Sequence, residues 1–169
     1  MAHITGLDFE AYLKDAAKKA TIELREAVIK ANKNDPENEN IYPYEATVTA
    51  LVFHHLLNRG LSIENMSVEA SYDDGKRRMD LSYFDTEKQE KYSVEVKTVL
   101  QISKKGLLYK RRDGLVGIEE DIGKLMSLKG KQKRIIIVAY FGVDNVDNKT
   151  FKEWENQIGE HKGVTIMFS

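Results

Sequence analysis

The sequence predicts an α/β protein in which a mixed central sheet is flanked by helices. Three observations support this prediction. Helical periodicity dominates the first 58 residues, three strand-like segments follow between residues 65 and 100, and a helical segment then precedes a continuously apolar strand. A three-strand meander followed by a crossover helix and a buried strand predicts a sheet with both antiparallel and parallel pairs.

Two helices are predicted before the strands. Apolar residues recur at three- and four-residue steps from Asp8 to Ala31, with Asp8 as the N-cap. Residues 32–40 are polar and predict a loop. Pro43 is suited to the first position of a second helix, which runs to about Asn58 and ends at Gly60.

Three strands are predicted next. Asn65 to Tyr72 alternates between apolar and polar residues, and Asp73-Asp74-Gly75 is a turn signal. Met79–Phe84 and Tyr92–Leu100 are the second and third strands, and the polar residues 85–91 between them indicate a hairpin connection.

The C-terminal half contributes two further helices and two further strands. Ser103–Gly117 is basic and contains glycine, so it is interpreted as a loop. A helix is expected over Ile118–Leu128, and Arg134–Phe141 is a strand covered on both faces because its centre is continuously apolar. A short helix (Thr150–Ile158) and a strand (Val164–Phe168) follow.

The chain is predicted to form a single domain over residues 1–169, because it shows neither an internal repeat nor a break in composition. Within it, residues 1–34 are a helical extension, residues 43–141 are the core, and residues 142–169 add the last helix and strand.

Composition limits the function classes. Of the 169 residues 41% are apolar and 31% are charged, and cysteine is absent, which excludes disulfides and thiolate chemistry. A signal-peptide pattern and an apolar run of the ~20 residues needed to span a bilayer are both absent, so we expect a cytoplasmic protein without membrane contact. The formal net charge of −1 argues against a protein that coats nucleic acid constitutively.

Three charged residues lie within the second and third predicted strands: Asp80, Glu95 and Lys97. Side chains two apart on a strand project from one face, so Glu95 and Lys97 share a face. If the two strands pair, Asp80 lies across from Glu95 or diagonal to it. A Val-Glu-Val-Lys segment alone is typical of a half-solvated strand, but the second acid on the neighbouring strand favours a functional pair.

Two carboxylates at this separation repel unless a cation lies between them. A hard ion such as Mg²⁺ takes carboxylate oxygens and accepts a phosphate oxygen from a substrate. An adjacent lysine would stabilise negative charge in a phosphoryl-transfer transition state. We expect Lys97 to stay protonated beside the two acids rather than to act as a free base.

With these residues in place, the chain resembles the PD-(D/E)XK nuclease superfamily, which has the restriction-endonuclease-like fold. The matching motif is Asp80 followed by Glu95-Val96-Lys97, within a region from Pro43 to Phe141. The residue before Asp80 is Met79, where the family motif is named for proline. The segment from Arg78 to Lys97 is similar to archaeal-type Holliday junction resolvases and to small restriction-type endonucleases. Its residues do not distinguish between these two groups.

The resemblance implies an αβββαβ core and a site for Mg²⁺ or Mn²⁺. It implies that Asp80 and Glu95 are metal ligands, that the backbone carbonyl of Val96 is a further ligand, and that Lys97 is the catalytic lysine. Several members also carry a glutamate on the helix before the sheet, a place that Glu45 occupies here. An acid in the first turn of a helix, favoured by the helix dipole, explains Glu45 equally well.

Two other charged segments have competing interpretations. Five basic residues follow the third strand, and they either contact DNA phosphates beside the site or belong to a solvated loop: Lys104, Lys105, Lys110, Arg111 and Arg112. The run Glu119-Glu120-Asp121 is interpreted as first-turn acids of the helix, from which Lys124 could face the site.

The leading hypothesis is therefore a Mg²⁺- or Mn²⁺-dependent nuclease, an endonuclease that hydrolyses DNA phosphodiesters. The alternative is a non-catalytic module of the same fold that binds a nucleic acid or a protein. In a third hypothesis the chain is a structural subunit that docks through its first helix, so that deleting residues 1–34 leaves the rest folded. The same helix is also a candidate cover for the sheet or a homodimer contact.

Overall fold

A computed structural model describes residues 8–34, 43–72, 75–76, 78–99, 101–102, 108–111, 114–141, 149, 152–153, 156 and 160–169. The helices in these ranges are α1 (Phe9–Asn34), α2 (Glu45–Asn58) and α3 (Glu119–Met126). The strands are β1 (Met66–Ser71), β2 (Arg78–Asp85), β3 (Glu90–Val99), β4 (Gln101–Ile102), β5 (Leu108–Arg111), β6 (Gly114–Gly117), β7 (Gln132–Tyr140), β8 (Glu160–His161) and β9 (Val164–Phe168).

The main sheet is mixed, as predicted, and its strand order is β1-β2-β3-β7-β9-β8. Strands β1, β2 and β3 form an antiparallel meander, β3 and β9 both run parallel to β7, and the short β8 is antiparallel to β9. The chain passes from β3 to the parallel β7 through α3. The predicted α/β class and helix-flanked mixed sheet are therefore confirmed.

Helices cover both faces of the sheet, and each face has its own hydrophobic core. Alternation along β7 divides the two cores: Ile135 and Ile137 pack in the core with α1 and α2, and Ile136 and Val138 pack in the core with α3. All four side chains are buried, which explains the continuous apolar run in the sequence.

Helix α1 is part of the first core. Phe9 and Leu13 are fully buried, and the Phe9 ring stacks on Tyr83 with centroids 4.3 Å apart. The Asp8 side chain accepts a hydrogen bond from the Ala11 N–H at 3.3 Å, in agreement with its predicted role as N-cap. Of the roles considered for this helix, covering the sheet is the one that the contacts support. The hypothesis that residues 1–34 are a removable docking extension conflicts with this packing.

The interpretation of residues 103–117 as a loop is wrong for the part that the structure describes. Strands β4, β5 and β6 form a second, three-stranded antiparallel sheet, with Tyr109 opposite Val116 and Lys110 opposite Leu115. The basic and glycine residues favoured a loop, but the short segments Leu108–Arg111 and Gly114–Gly117 pair locally. Pairing between such close segments requires only a tight connection.

Other boundaries differ in detail. Helix α2 begins at Glu45, with Tyr44 as its N-cap, rather than at Pro43, and a 3-10 turn at Ile63–Asn65 precedes β1. Gly60 has a φ of 89°, as a residue ending a helix requires. Residues 152, 153 and 156 of the predicted helix at 150–158 are helical, and its remaining residues lie outside the described part. No helix within the described ranges is long and apolar enough to cross a membrane.

Candidate active site

Glu95 and Lys97 project from the face of β3 that α3 covers. Their neighbours Val94 and Val96 point the other way, into the core with α1 and α2, whereas Val99 belongs to the core with α3. Both charged side chains are buried. The period of two along the strand places a carboxyl group and an ammonium group on one face, as the sequence predicted, and the structure shows that α3 covers this face.

Asp80 joins them from β2 at a break in the strand pairing. The β2–β3 register runs from Asp85↔Glu90 to Leu81↔Val94 and is not continued by Asp80. Instead, the Asp80 Oδ2 atom accepts a hydrogen bond from the Val96 N–H at 2.6 Å. A side-chain oxygen therefore takes the place of a backbone acceptor, which draws the Asp80 carboxyl group toward β3.

Strand β1, which pairs with β2 on its other side, is also irregular opposite Asp80. Val68 pairs with Leu81 and Ala70 pairs with Met79, but Glu69, which would lie opposite Asp80, is not paired. Its φ of 52° lies in the left-handed region, where a residue with a Cβ atom is strained. The backbone at Asp80 thus lacks a regular ladder partner on either side among the described pairs.

The Asp80 and Glu95 carboxyl groups are close enough for each to influence the pKa of the other. Burial raises the pKa of Asp80 above its ordinary value. Burial, followed by the charge of Asp80, raises the pKa of Glu95 to about 8. Near neutral pH the pair therefore favours a state in which the two acids share one proton.

Tyr72 is a contact that the sequence did not reveal. Its buried hydroxyl group donates a hydrogen bond to the Glu95 Oε1 atom. Burial and the neighbouring Glu95 raise the pKa of Tyr72, so this hydroxyl group remains a donor. In the sequence, Tyr72 ends an alternating strand and was assigned to its apolar side. A buried tyrosine hydroxyl group needs a hydrogen-bond partner. The assignment of Tyr72 to the apolar side of its strand therefore indicated that a polar group lies nearby.

Lys97 lies between two further acids. Its Nζ atom is 3.5 Å from Glu45 Oε2 and 3.5 Å from Asp121 Oδ2. Glu45 therefore contacts Lys97, while its role in a site stays a prediction. The charge of Lys97 also favours the ionised form of Asp80.

Asp121 lies in the first turn of α3, as predicted, but its contacts with the site were not predicted. Its side chain is buried, and it pairs with Lys97 and with Lys124. The position held a signal, because Asp121 is three residues after Ile118 and four before Leu125, both of which are buried. These spacings place Asp121 on the buried side of the helix.

The predicted DNA-contacting residues are only partly described. Lys104, Lys105 and Arg112 lie outside the described residues. The backbone of Lys110 and Arg111 belongs to β5, whereas their side chains lie outside the described part of the structure. Their predicted role therefore stays a prediction.

Val96 contributes its backbone to the site. On an extended strand, the N–H and C=O groups of one residue point to the same side. Since the Val96 N–H points to Asp80, we infer that the Val96 carbonyl group also faces the gap between β2 and β3. The groups that could hold a cation here are thus two carboxylates and one carbonyl oxygen.

Within the described ranges, no set of three or more Asp, Glu or His side chains is arranged as a metal site. No protein-family model matches the chain, and no curated protein matches it either.

Proposed function

We propose that the protein is a Mg²⁺- or Mn²⁺-dependent nuclease that hydrolyses DNA phosphodiester bonds, with a restriction-endonuclease-like core of the PD-(D/E)XK kind. One observation carries the proposal: the half-buried Asp80 and the buried Glu95 interact with each other, and the charge of the buried Lys97 acts on Asp80. The order of α2, β1, β2, β3, α3 and β7, with the small sheet of β4, β5 and β6 inserted between β3 and α3, supports the same assignment.

The donor groups fit a hard divalent cation. Burial raises the pKa of both Asp80 and Glu95, and the charge of Asp80 adds to the rise at Glu95, so the doubly ionised pair is disfavoured unless a cation is added. The site also contains Glu45, Asp121, Lys97 and Lys124, so four carboxyl groups face two ammonium groups. A divalent cation would bring this group to neutrality.

Under this proposal, Asp80 and Glu95 hold the ion, together with the Val96 carbonyl oxygen. Oxygen ligands of this kind suit Mg²⁺ and Mn²⁺, and two carboxylates leave room for waters and a substrate phosphate. When bound, the ion supplies Lewis-acid polarisation of the phosphoryl group and makes a nearby water more acidic.

The chain's own residues supply orientation and charge. Tyr72 holds one Glu95 oxygen by a hydrogen bond, and the Val96 N–H holds one Asp80 oxygen, so each carboxylate has a second oxygen in a defined direction. Lys97 is held by Glu45 and Asp121, and it stabilises the negative charge that develops on the phosphoryl oxygens. The two contacts hold this ammonium group at a defined position in the site.

The test is incubation with linear, circular, branched and single-stranded DNA in Mg²⁺ and in Mn²⁺. We expect cleavage by the native protein and none by Asp80→Asn or Lys97→Ala. Because Lys97→Ala leaves the buried Asp121 without one of its partners, Lys97→Gln is included, since its amide still donates a hydrogen bond. Thermal unfolding of each variant verifies that it is folded.

A non-catalytic binding module of the same fold is the second candidate. The observation in its favour is that Lys97 is already ion-paired with two acids. The acids and lysines would then form a salt-bridged surface for a nucleic acid or a protein. This candidate predicts no cleavage in any divalent metal and no Mn²⁺ binding by calorimetry.

A further inference from the structure

One carboxylate joins two ammonium groups at the edge of the proposed site. Asp121 Oδ2 is 3.5 Å from Lys97 Nζ, and Asp121 Oδ1 is 2.9 Å from Lys124 Nζ. The Asp121 side chain is only 3% exposed. The two lysines, one on β3 and one on α3, are therefore separated by a single buried carboxylate group.

The two lysines differ in their access to solvent. The Lys97 side chain is 10% exposed, whereas the Lys124 side chain is 26% exposed. Lys124 thus combines a fixed inner contact with an ammonium group that an external anion can reach.

The second partner of Lys124 is replaceable. Glu120 Oε1 lies 3.3 Å from the Lys124 Nζ atom, but the Glu120 side chain is 76% exposed. An exposed i,i+4 ion pair contributes little to stability because solvent screens it. A phosphate oxygen can therefore take the place of Glu120 while the contact with Asp121 remains.

The ammonium group stays charged at this position. Burial alone would lower the pKa of Lys124, but the hydrogen bond and charge of Asp121, followed by those of Glu120, raise it above its ordinary value. The charge of Asp121 also acts on Asp80 and Glu95, and Asp121 contacts both Lys97 and Lys124.

We propose that Lys124 binds a phosphate of the DNA substrate next to the acid pair, and that Asp121 is the positioning residue that holds Lys124 there. This inference rests on the proposed nuclease function and adds a phosphate contact to it. Lysine is suited to such a contact as a point charge. The partner is the sugar–phosphate backbone, so the contact carries no sequence preference.

The experiment measures DNA binding without divalent metal. A fluorescent oligonucleotide is titrated with the protein in EDTA at several salt concentrations, and the anisotropy gives the binding constant. We expect Lys124→Gln to reduce the slope of log K against log salt by about 0.9 for duplex DNA, or about 0.7 for a single strand. Lys124→Arg should keep the native slope.

Lys30→Gln is the matched control. Lys30 is an exposed lysine on α1, which covers the opposite face of the sheet. Lys30→Gln changes the net charge of the protein by the same amount as Lys124→Gln. Because Lys30 is remote from the proposed contact, we expect this variant to keep the native slope. Thermal unfolding of each variant separates loss of contact from loss of fold.

Asp121→Asn tests the positioning role. If Asp121 holds Lys124, the single variant lowers the slope, and the double variant Asp121→Asn, Lys124→Gln lowers it no further. A purely structural Asp121 would reduce the melting temperature and leave the slope of the folded protein unchanged, which would overturn that role.

The outcomes separate this inference from the nuclease proposal. A native slope for Lys124→Gln, in a protein that cleaves DNA with metal, would overturn the phosphate contact alone. A reduced slope in a protein that never cleaves DNA would support the contact and reject the nuclease. A native protein without measurable DNA binding in EDTA would reject the contact.

Discussion

The Asp80 carboxylate replaces a backbone acceptor for the Val96 N–H, with 2.6 Å between Oδ2 and the nitrogen atom. The hydrogen bond occurs where the regular β2–β3 pairing ends at Leu81↔Val94. It brings Asp80 against Glu95, although ionised carboxylates repel at this range. The structure thus keeps an electrostatically unfavourable pair together by means of a backbone contact.

Asp80→Asn should abolish metal-dependent cleavage and keep the protein folded. The amide oxygen can still accept the Val96 N–H, while the charge needed for the cation is lost and the repulsion on Glu95 disappears. We expect the cleavage rate to fall at least about a hundredfold. The free energy of unfolding at pH 8 without metal should be unchanged or higher. A gel-based cleavage assay and urea denaturation measure the two effects.

Asp80→Ala is the comparison for this prediction. It removes the same charge and also the acceptor, so the Val96 N–H is left without its partner, at a cost of about 1–3 kcal/mol relative to Asp80→Asn. Equal stability of the two variants would mean that the contact does not hold the site together.

Stability without metal should decrease as the pH rises because of Glu95. Burial and the charge of Asp80 raise the pKa of this carboxyl group from 4.5 to about 8. The stability that it contributes is fully present below pH 4.5 and is lost as the pH rises through about 8. We expect the free energy of unfolding of the native protein in EDTA to decrease between pH 6 and pH 9, on the order of a few kcal/mol. The melting temperature should fall over the same pH range.

Glu95→Gln should remove this part of the pH dependence, since the amide does not titrate. Glu64→Gln, a change at an exposed glutamate, should leave it intact. Adding Mn²⁺ should raise the melting temperature of the native protein more at pH 9 than at pH 6, because the ion binds the ionised pair. A native protein whose pH profile matches that of Glu95→Gln would contradict the raised pKa.

The sequence predicted the parts of the site that follow from strand periodicity. Glu95 and Lys97 share a face because their spacing is two, and Asp80 was expected opposite Glu95 in a hairpin. The contact between Asp80 and the Val96 N–H depends on where the strand pairing stops, which periodicity does not encode. The contacts of Asp121 were not predicted for a different reason. An acid in the first turn of a helix is typical of a solvent-exposed position, whereas the spacing of Asp121 to buried residues indicates the side of α3 that faces the sheet.

Local pairing was the other feature that the sequence analysis missed. The small sheet of β4, β5 and β6 is built from strands of two to four residues, which are too short to show clear alternation. By contrast, the long patterns of α1 and β7 were predicted within a few residues of their observed ends.

Helix α1 should be essential for folding. Leu13 is fully buried in the core between α1, α2 and the sheet, so we expect Leu13→Ala to lower the free energy of unfolding by about 2–5 kcal/mol. Ile22 lies on the same helix with 48% exposure, and Ile22→Ala should change stability by no more than about 0.5 kcal/mol. Urea denaturation compares the two. A truncated protein lacking residues 1–34 that unfolds cooperatively with native stability would contradict this prediction.

Glu69→Gly should stabilise the protein. Glu69 has a φ of 52° in the middle of β1, and the left-handed conformation costs a residue with a Cβ atom about 1–2 kcal/mol. Glycine adopts it without that cost but loses about 0.5–1 kcal/mol to the greater freedom of the unfolded chain. We expect a net gain of about 0.5–1 kcal/mol in the free energy of unfolding, measured by urea denaturation. Glu69→Ala removes the same side-chain charge and keeps the Cβ atom, so its stability should match that of the native protein. If both variants shift stability equally, the gain comes from the lost charge, and the backbone opposite Asp80 is not under strain.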